Sequence, residues 1–362
     1  MTKTIAYNKL WKSKQALVSI IVLMIWILTA VFAYLIAPDN SQDANMQMLE
    51  IQSAPMGYTQ LYIKKPGRQL KERQQSLLSV FMHGKAVEDE YIPIRKYEVK
   101  GSEIFIWRLI DQDSTQIQRY RISEMALNGR IEECLETNRY LLGTDQLGRD
   151  IFSRLLIGTR ITIAVGLIAV LVSLLTGVIL GLMAGYYQGR VDAVVMYLIN
   201  ITWSIPTLLL VFGLTMALGK GMLQVFVAVG LTMWVSVARL LRNQVKSISR
   251  LDYVEAARVM GFSDARIMFR HILPNCAGTI LVAATANFAS AIMIESGLSF
   301  LGLGVQAPQP SWGLMMREQY NFLIAGQPMS AIIPGLAMMS LVLACNGLSN
   351  GLRDVFDVRE PN

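Results

Sequence analysis

The chain has 362 residues, 53% of them hydrophobic and 16% charged, with a formal net charge of +7 at pH 7. That balance excludes a water-soluble globular domain and marks a polytopic membrane protein. Cys134, Cys276 and Cys345 are too few and too scattered for a disulfide framework, and the basic excess is matched by anionic lipid headgroups without invoking nucleic acid.

Uncharged runs of spanning length lie at 16–37, 161–187, 193–218, 222–238, 276–294 and within 321–352. A crossing helix needs about 20 apolar residues, with roughly 17 as a lower limit, so six transmembrane helices are expected. The first run is too long for a signal-peptide core and reads as a retained anchor. The expected fold is an all-α membrane protein interrupted after its first span by an α/β or partly ordered insert. The divisions are 1–37 for the N-terminus and first span, 38–140 for the insert, 141–352 for a five-helix core and 353–362 for a tail.

The insert is of a different kind. Between positions 39 and 149 there are 16 acidic and 15 basic residues, a balanced loop long enough to be exported whatever its charges. An amphipathic helix is expected over 69–81 and short strands over 104–109 and 116–122. A folded cap or docking platform and a partly ordered spacer both remain open. The lead into the second span, LGTDQLGRD at 142–150 followed by SRLLIGTR at 153–160, carries Arg149, Asp150, Arg154 and Arg160. These are expected at the membrane interface, in a local turn, where charge costs little.

In the third run WSIP at 203–206 places Pro206 where it removes a backbone bond and bends the helix, as in spans that border a cavity. Asn200 and Asn287 are polar groups at depth, suited to a helix-to-helix hydrogen bond or to a solute contact. Between the fourth and fifth runs lies LDYVEAARVMGFSDARIMFRHILPN, residues 251–275. Two short helices are expected there. Asp252 caps the first with Glu255 three residues on, and Gly261 stops it. Ser263 caps the second, Asp264 suits its dipole, and Pro274 ends it by excluding Leu273 from helical geometry. Ala265, Met268, Phe269 and Ile272 form its apolar stripe. The segment is basic enough to suggest a helix-turn-helix, but membrane on both sides keeps it from a DNA groove.

Basic residues set the orientation. With the N-terminus in the cytosol, Lys3, Lys9, Lys12, Lys14, Arg190, the seven basic residues between Arg239 and Arg270, Arg353 and Arg359 lie inside, against Lys220 and Arg317 on short outer loops. Both termini and the 251–275 elbow are therefore expected in the cytosol. Gly219-Lys220-Gly221 imitates the end of a phosphate-binding loop, but Gly221 stands where serine or threonine is needed. His83 and His271 are too few for a metal site or a nucleophile with its base. No catalytic residue and no metal ligand emerges, so the chain is not expected to be an enzyme.

Glu255, Ala256, Ala257, then Gly261, then Leu273 and Pro274 resemble in type and spacing the EAA loop of ABC importer permeases. The general motif has an aliphatic residue where this chain has His271, and RHILPN at 270–275 resembles the peptide-type branch. So do residues 142–160, the block ESGLSFLGLG at 295–304 with PQPSWG at 308–313, and GLRDVFDVR at 351–359, where Val358 stands in place of an expected proline. The resemblance covers the first span loosely and residues 142–359 closely, and leaves the insert uncovered. It implies a type I permease subunit of the dipeptide, oligopeptide and nickel importer group in the bacterial inner membrane. Loop 247–275 would be the coupling helix, with Glu255, Ala256, Ala257, Gly261, Leu273 and Pro274 meeting an ATPase. The implied partners are a second homologous permease, two ABC ATPase subunits, an extracytoplasmic solute-binding protein and membrane lipid. The chain itself would hold no cofactor, since ATP and magnesium are used by the ATPases.

Glu255 has two readings, a local cap or a pairing with a basic residue of the ATPase. Glu295 either faces the pathway or a gate, or lies at headgroup level and does neither. Peptide is the expected cargo, with nickel or another small solute as the alternative. An ion-coupled secondary carrier would need ionisable residues within the spans and internal repeats. A membrane scaffold or sensor would place its function in the insert.

Overall fold

The structure is a computed structural model that describes residues 13–65, 77–85, 89–111, 113–122, 131–219, 221–324 and 328–356. Helix α1 (Lys14–Ile36) leads into a segment holding strands β1 (Tyr58–Lys65), β2 (Glu90–Lys100), β3 (Glu103–Leu109), β4 (Thr115–Arg121) and β5 (Leu135–Tyr140), with α2 (Leu77–His83) between β1 and β2. Then follow α3 (Ile151–Tyr187), α4 (Gly189–Ser204), α5 (Thr207–Leu218), α6 (Met222–Ile248), α7 (Asp252–Val259), α8 (Asp264–Arg266), α9 (Ala277–Phe300), α10 (Trp312–Glu318), α11 (Tyr320–Ile324) and α12 (Met329–Phe356). The expected helix over 69–81 lies partly outside the described residues, as do Lys3, Lys9, Lys12, Lys220, Val358 and Arg359.

Among the described residues five helical stretches are long and apolar enough to cross a membrane: α1, α3, α6, the run Asp264–Phe300 and α12. The expected third span is two helices, α4 and α5, meeting at 96°. Pro206 does more than bend it. Ile205 and Pro206 are both extended, at φ −99°, ψ 128° and φ −55°, ψ 129°, because the proline ring keeps the preceding residue out of helical space.

The five strands form one antiparallel sheet in the order β4-β3-β2-β1-β5. Ile63, Ile92, Ile94, Ile104, Ile106 and Ile131 form one hydrophobic cluster, and Met48, Ile51, Tyr62, Leu109 and Tyr140 form another. Ile63 and Tyr62 are neighbours on β1, so the two clusters occupy opposite faces of the sheet. The Tyr62 and Tyr140 hydroxyls meet at 2.7 Å inside the second cluster, and burial pushes both phenols above their ordinary range.

The helical core is organised by α3 against α6. Gly177, Gly181 and Gly185 recur every four residues, and a Cβ at each would come within 2.6 Å of Val237 Cβ, 2.6 Å of the Ala238 oxygen and 2.7 Å of the Arg242 oxygen. The absence of side chains lets the backbones touch. Both sequences advance together along this contact, so α3 and α6 run parallel. The chain between them must therefore return across the layer through α4 and α5.

Arg149 and Arg154 correct an expectation. Expected in a local turn at the membrane interface, they are instead buried within the protein, 3% and 0% exposed. Arg149 pairs with Asp145 at 2.6 Å and with Glu318 at 2.9 Å, and Arg154 reaches Glu318 at 3.0 Å. Part of their countercharge is local, from Asp145, and part arrives from α10, more than 160 positions along the chain, which ties the end of the insert to the segment after α9. Asp150 does act locally, capping α3 by accepting from the Phe152 and Ser153 N–H groups. Glu318→Ala should leave two buried guanidinium groups sharing Asp145 as their remaining ion-pair partner among the described residues. A loss of roughly 3–5 kcal/mol is expected, read as a lower melting midpoint in detergent, and an Arg154→Met partner change should restore part of it. An unchanged midpoint would mean that water already serves these charges.

Candidate functional site: the elbow between two spans

Helix α7 begins at Asp252, after extended Leu251 (φ −80°, ψ 144°), and no side chain caps it. Asp252 is thus the first helical residue, and the expected Asp252–Glu255 box does not form. Its end is as expected: Gly261 stands at φ +79°, its N–H bonds to the Arg258 oxygen, and the Phe262 N–H reaches back to the Ala257 oxygen at 3.2 Å. These two bonds are a Schellman closure, which needs a left-handed residue at this position.

Beyond Gly261 the structure departs from the α-helical expectation. Ser263 precedes α8 in extended geometry, but its hydroxyl makes no capping bond. Asp264 accepts instead from the Tyr186 hydroxyl at 2.7 Å. Residues Ile267–Ile272 form a π-helical turn and Leu273–Cys276 a 3-10 turn that continue directly into α9. Pro274 therefore does not end a helix, and Leu273 is helical at φ −57°, ψ −41°. The π turn shifts the hydrogen-bond register ahead of the proline, and the Asn275 amide donates to the His271 oxygen at 2.7 Å. The wider turn also changes the stripe. Ile267, Met268 and Ile272 are buried, whereas Ala265 is exposed and Phe269 is 57% exposed.

The inner face of the elbow is fixed. Val254, Ala257, Ile267, Met268, Ile272 and Cys276 pack with Leu182 and Tyr186 of α3 and with Leu241 and Val245 of α6. Phe262 stacks on His271 at 5.9 Å, and Arg266 lies 4.3 Å over the Phe262 ring. The outer face is open. Val259 is 84% and Met260 66% exposed, and Tyr253, Glu255, Ala256, Pro274 and Phe269 are exposed with them. A Cβ built at Gly261 meets nothing within 4 Å. An apolar patch with an acid beside it, on a piece clamped to two long helices, is suited to receiving force from another protein.

The other expected site residues fall elsewhere. Asn287 joins three helices: its amide donates to Ser173 Oγ at 3.2 Å and the Met233 oxygen at 3.4 Å, and Ser236 donates to its Oδ1. Asn200 is exposed on α4. Glu295 is fully buried, and its Oε1 accepts from Ser299 Oγ at 2.6 Å and Ser311 Oγ at 3.1 Å. It is placed to hold the loop after α9 against that helix. Trp312, the first residue of α10 beyond that loop, donates its indole N–H to the Leu155 oxygen and packs edge-on against Trp26 at 4.8 Å. Neither Tyr186 beneath the elbow nor the α3 glycine row figured in the sequence expectations. The four-residue spacing of Gly177, Gly181 and Gly185 was the available signal for the row. Nothing in the sequence links Tyr186 to Asp264.

Residues 177–360 match the binding-protein-dependent transport system inner membrane component family, and the chain belongs to it. Among curated proteins it is 42% identical over 221 residues to the glutathione transport system permease protein GsiD of Pectobacterium atrosepticum, covering 61% of this chain and 73% of that one. It is 39% identical to the di/tripeptide transport system permease protein DppC of Pseudomonas aeruginosa, over 62% of this chain and 74% of that one. With the oligopeptide transport system permease protein OppC of Bacillus subtilis it shares 40% identity over 59% of this chain and 70% of that one.

Proposed function

We propose that the chain is one of two permease subunits of an ATP-driven ABC importer for peptides. The observation that carries this is the elbow, whose inner face is locked to α3 and α6 while its outer face, from Tyr253 to Phe269, is left open. In this reading the family's ATPases dock there. A partner closing on ATP displaces α7, and the packed contact moves α3 and α6 as a unit, a two-state change biased from outside. The peptide cargo rests on the names of the relatives.

The same reading makes α4 and α5 a single broken span, the third of six, because α3 and α6 run parallel. It places the termini and elbow in the cytosol and the sheet outside, where a solute-binding protein docks. A second permease completes the pathway, and ATP and magnesium are held by the ATPases. Glu295 pins the loop after α9 at the outer end of the pathway.

Glu255 tests the coupling. It is exposed, caps nothing, and makes no ion pair among the described residues. Glu255→Ala should leave abundance unchanged and lower dipeptide uptake about tenfold or more in reconstituted vesicles, the effect of losing a charge-assisted contact. ATP hydrolysis should persist, separated from transport. Loss of abundance with normal uptake per molecule would assign Glu255 a local role instead.

A further inference from the structure

An opening of about 600 Å³ lies between α1, α3, α9 and α12, with Phe81 of α2 and Arg160 among its walls. Packed interiors hold few voids larger than a water molecule, so a space of this size has a cause. Gly166 has no side chain, and a Cβ there would come within 2.6 Å of the Phe288 ring. The ring therefore lies against the α3 backbone, and the small side chains of Ala30, Ala164 and Ala284 line the space beside it. Apart from Arg160 the walls are apolar, and the Thr285 hydroxyl among them is already bonded to the Leu281 and Val282 oxygens. Ile27 and Leu167 are each 52% exposed. An apolar space of this kind stays dry, and within a bilayer the medium that reaches it is acyl chain.

Length and charge both match a lipid. On α3 the lining runs from Arg160 through Leu167 to Val170, ten positions of helix or about 15 Å, which is half of a hydrocarbon core of roughly 30 Å. The opening is thus one leaflet deep, and Arg160 marks its end toward the insert. Arg160 Nη1 donates to the Phe81 and Met82 oxygens at 3.4 and 3.2 Å, and the guanidinium lies 4.9 Å over the Tyr34 ring. It is held in place, yet unlike Arg149 and Arg154 it has no carboxylate partner among the described residues. A fixed cation without an acid, at the mouth of an apolar groove, is complementary to a phosphate with a chain below it. We propose that the opening binds one phospholipid of net negative charge, an acyl chain lying between the four helices and the phosphate against Arg160. The inference needs the long helices to lie in a bilayer but needs neither peptide cargo nor coupling through the elbow, so its test is separate from theirs.

The full chain, stripped of lipid in detergent, is titrated with dioleoylphosphatidylglycerol and separately with dioleoylphosphatidylcholine, and bound lipids are counted by native mass spectrometry. One phosphatidylglycerol is expected to bind about fivefold or more tightly than phosphatidylcholine, the effect of one cation facing an anionic group. Arg160→Gln should bring the two lipids to equal affinity. Ala284→Phe, which puts a ring into the opening, should remove the first tight site for both lipids without lowering the melting midpoint, because it fills a hollow and does not overpack a fitted core. Glycerol phosphate should not compete, since it lacks the chain. Equal affinity of the two lipids for the parent protein, or a tight phosphatidylglycerol site that survives either substitution, would overturn the proposal. So would an Ala284→Phe variant that keeps its lipid and no longer copurifies with a second permease, the outcome expected if a protein helix fills the groove.

Discussion

Gly261→Trp is expected to abolish uptake while the protein still inserts and accumulates. Gly261 closes α7 at φ +79°, a conformation that costs a residue with a side chain roughly 1–2 kcal/mol, too little to unfold a protein with this much buried core. A Cβ there meets nothing within 4 Å among the described residues, so the indole projects from the open face without a clash in the subunit and fills space beside Met260 that a partner would occupy. The damage should therefore fall on association. Gly261→Asn, small and tolerant of left-handed geometry, should keep most of the uptake. The measurement is dipeptide uptake beside recovery of the ATPase with the permease, and normal uptake by the Trp variant would remove the elbow from the mechanism.

Gly181→Leu is expected to strike stability itself. A Cβ at this position would lie 2.6 Å from the Ala238 oxygen, and a backbone atom of a packed helix cannot swing aside as a side-chain tip can. Overpacking a fitted core ordinarily costs about 1–3 kcal/mol, and here the displaced groups belong to two backbones, so roughly 3 kcal/mol or more is expected. The variant should melt well below the parent protein and be lost from membranes. Gly181→Ala should show the same defect in milder form. Parental midpoints for both would mean that α3 and α6 do not touch along this row.

What the sequence disclosed follows the range of the interactions involved. The helix stop at Gly261 depends on neighbours within five positions and was legible, as were the break at Pro206 and the strands near 104–109 and 116–122, which appear as Glu103–Leu109 and Thr115–Arg121. The errors near Pro274 arise from one assumption, that a helix keeps its four-residue register. The π turn at Ile267–Ile272 breaks it, carries the helix through the proline and turns Phe269 outward. The burial of Arg149 and Arg154 was not legible because Glu318, which together with nearby Asp145 makes it tolerable, is so distant in the chain. The capping box at Asp252 fitted by spacing, yet the helix starts one residue too early for it.

The central claim is that the open face of the elbow grips a nucleotide-hydrolysing partner. A photoreactive phenylalanine analogue in place of Val259, 84% exposed on that face, tests it directly in native membranes. The account predicts an ultraviolet-dependent adduct with an ATP-hydrolysing polypeptide, whose yield changes when ATP is trapped. A properly inserted protein whose residue 259 forms adducts with lipid alone, or with no ATPase under either condition, would contradict it.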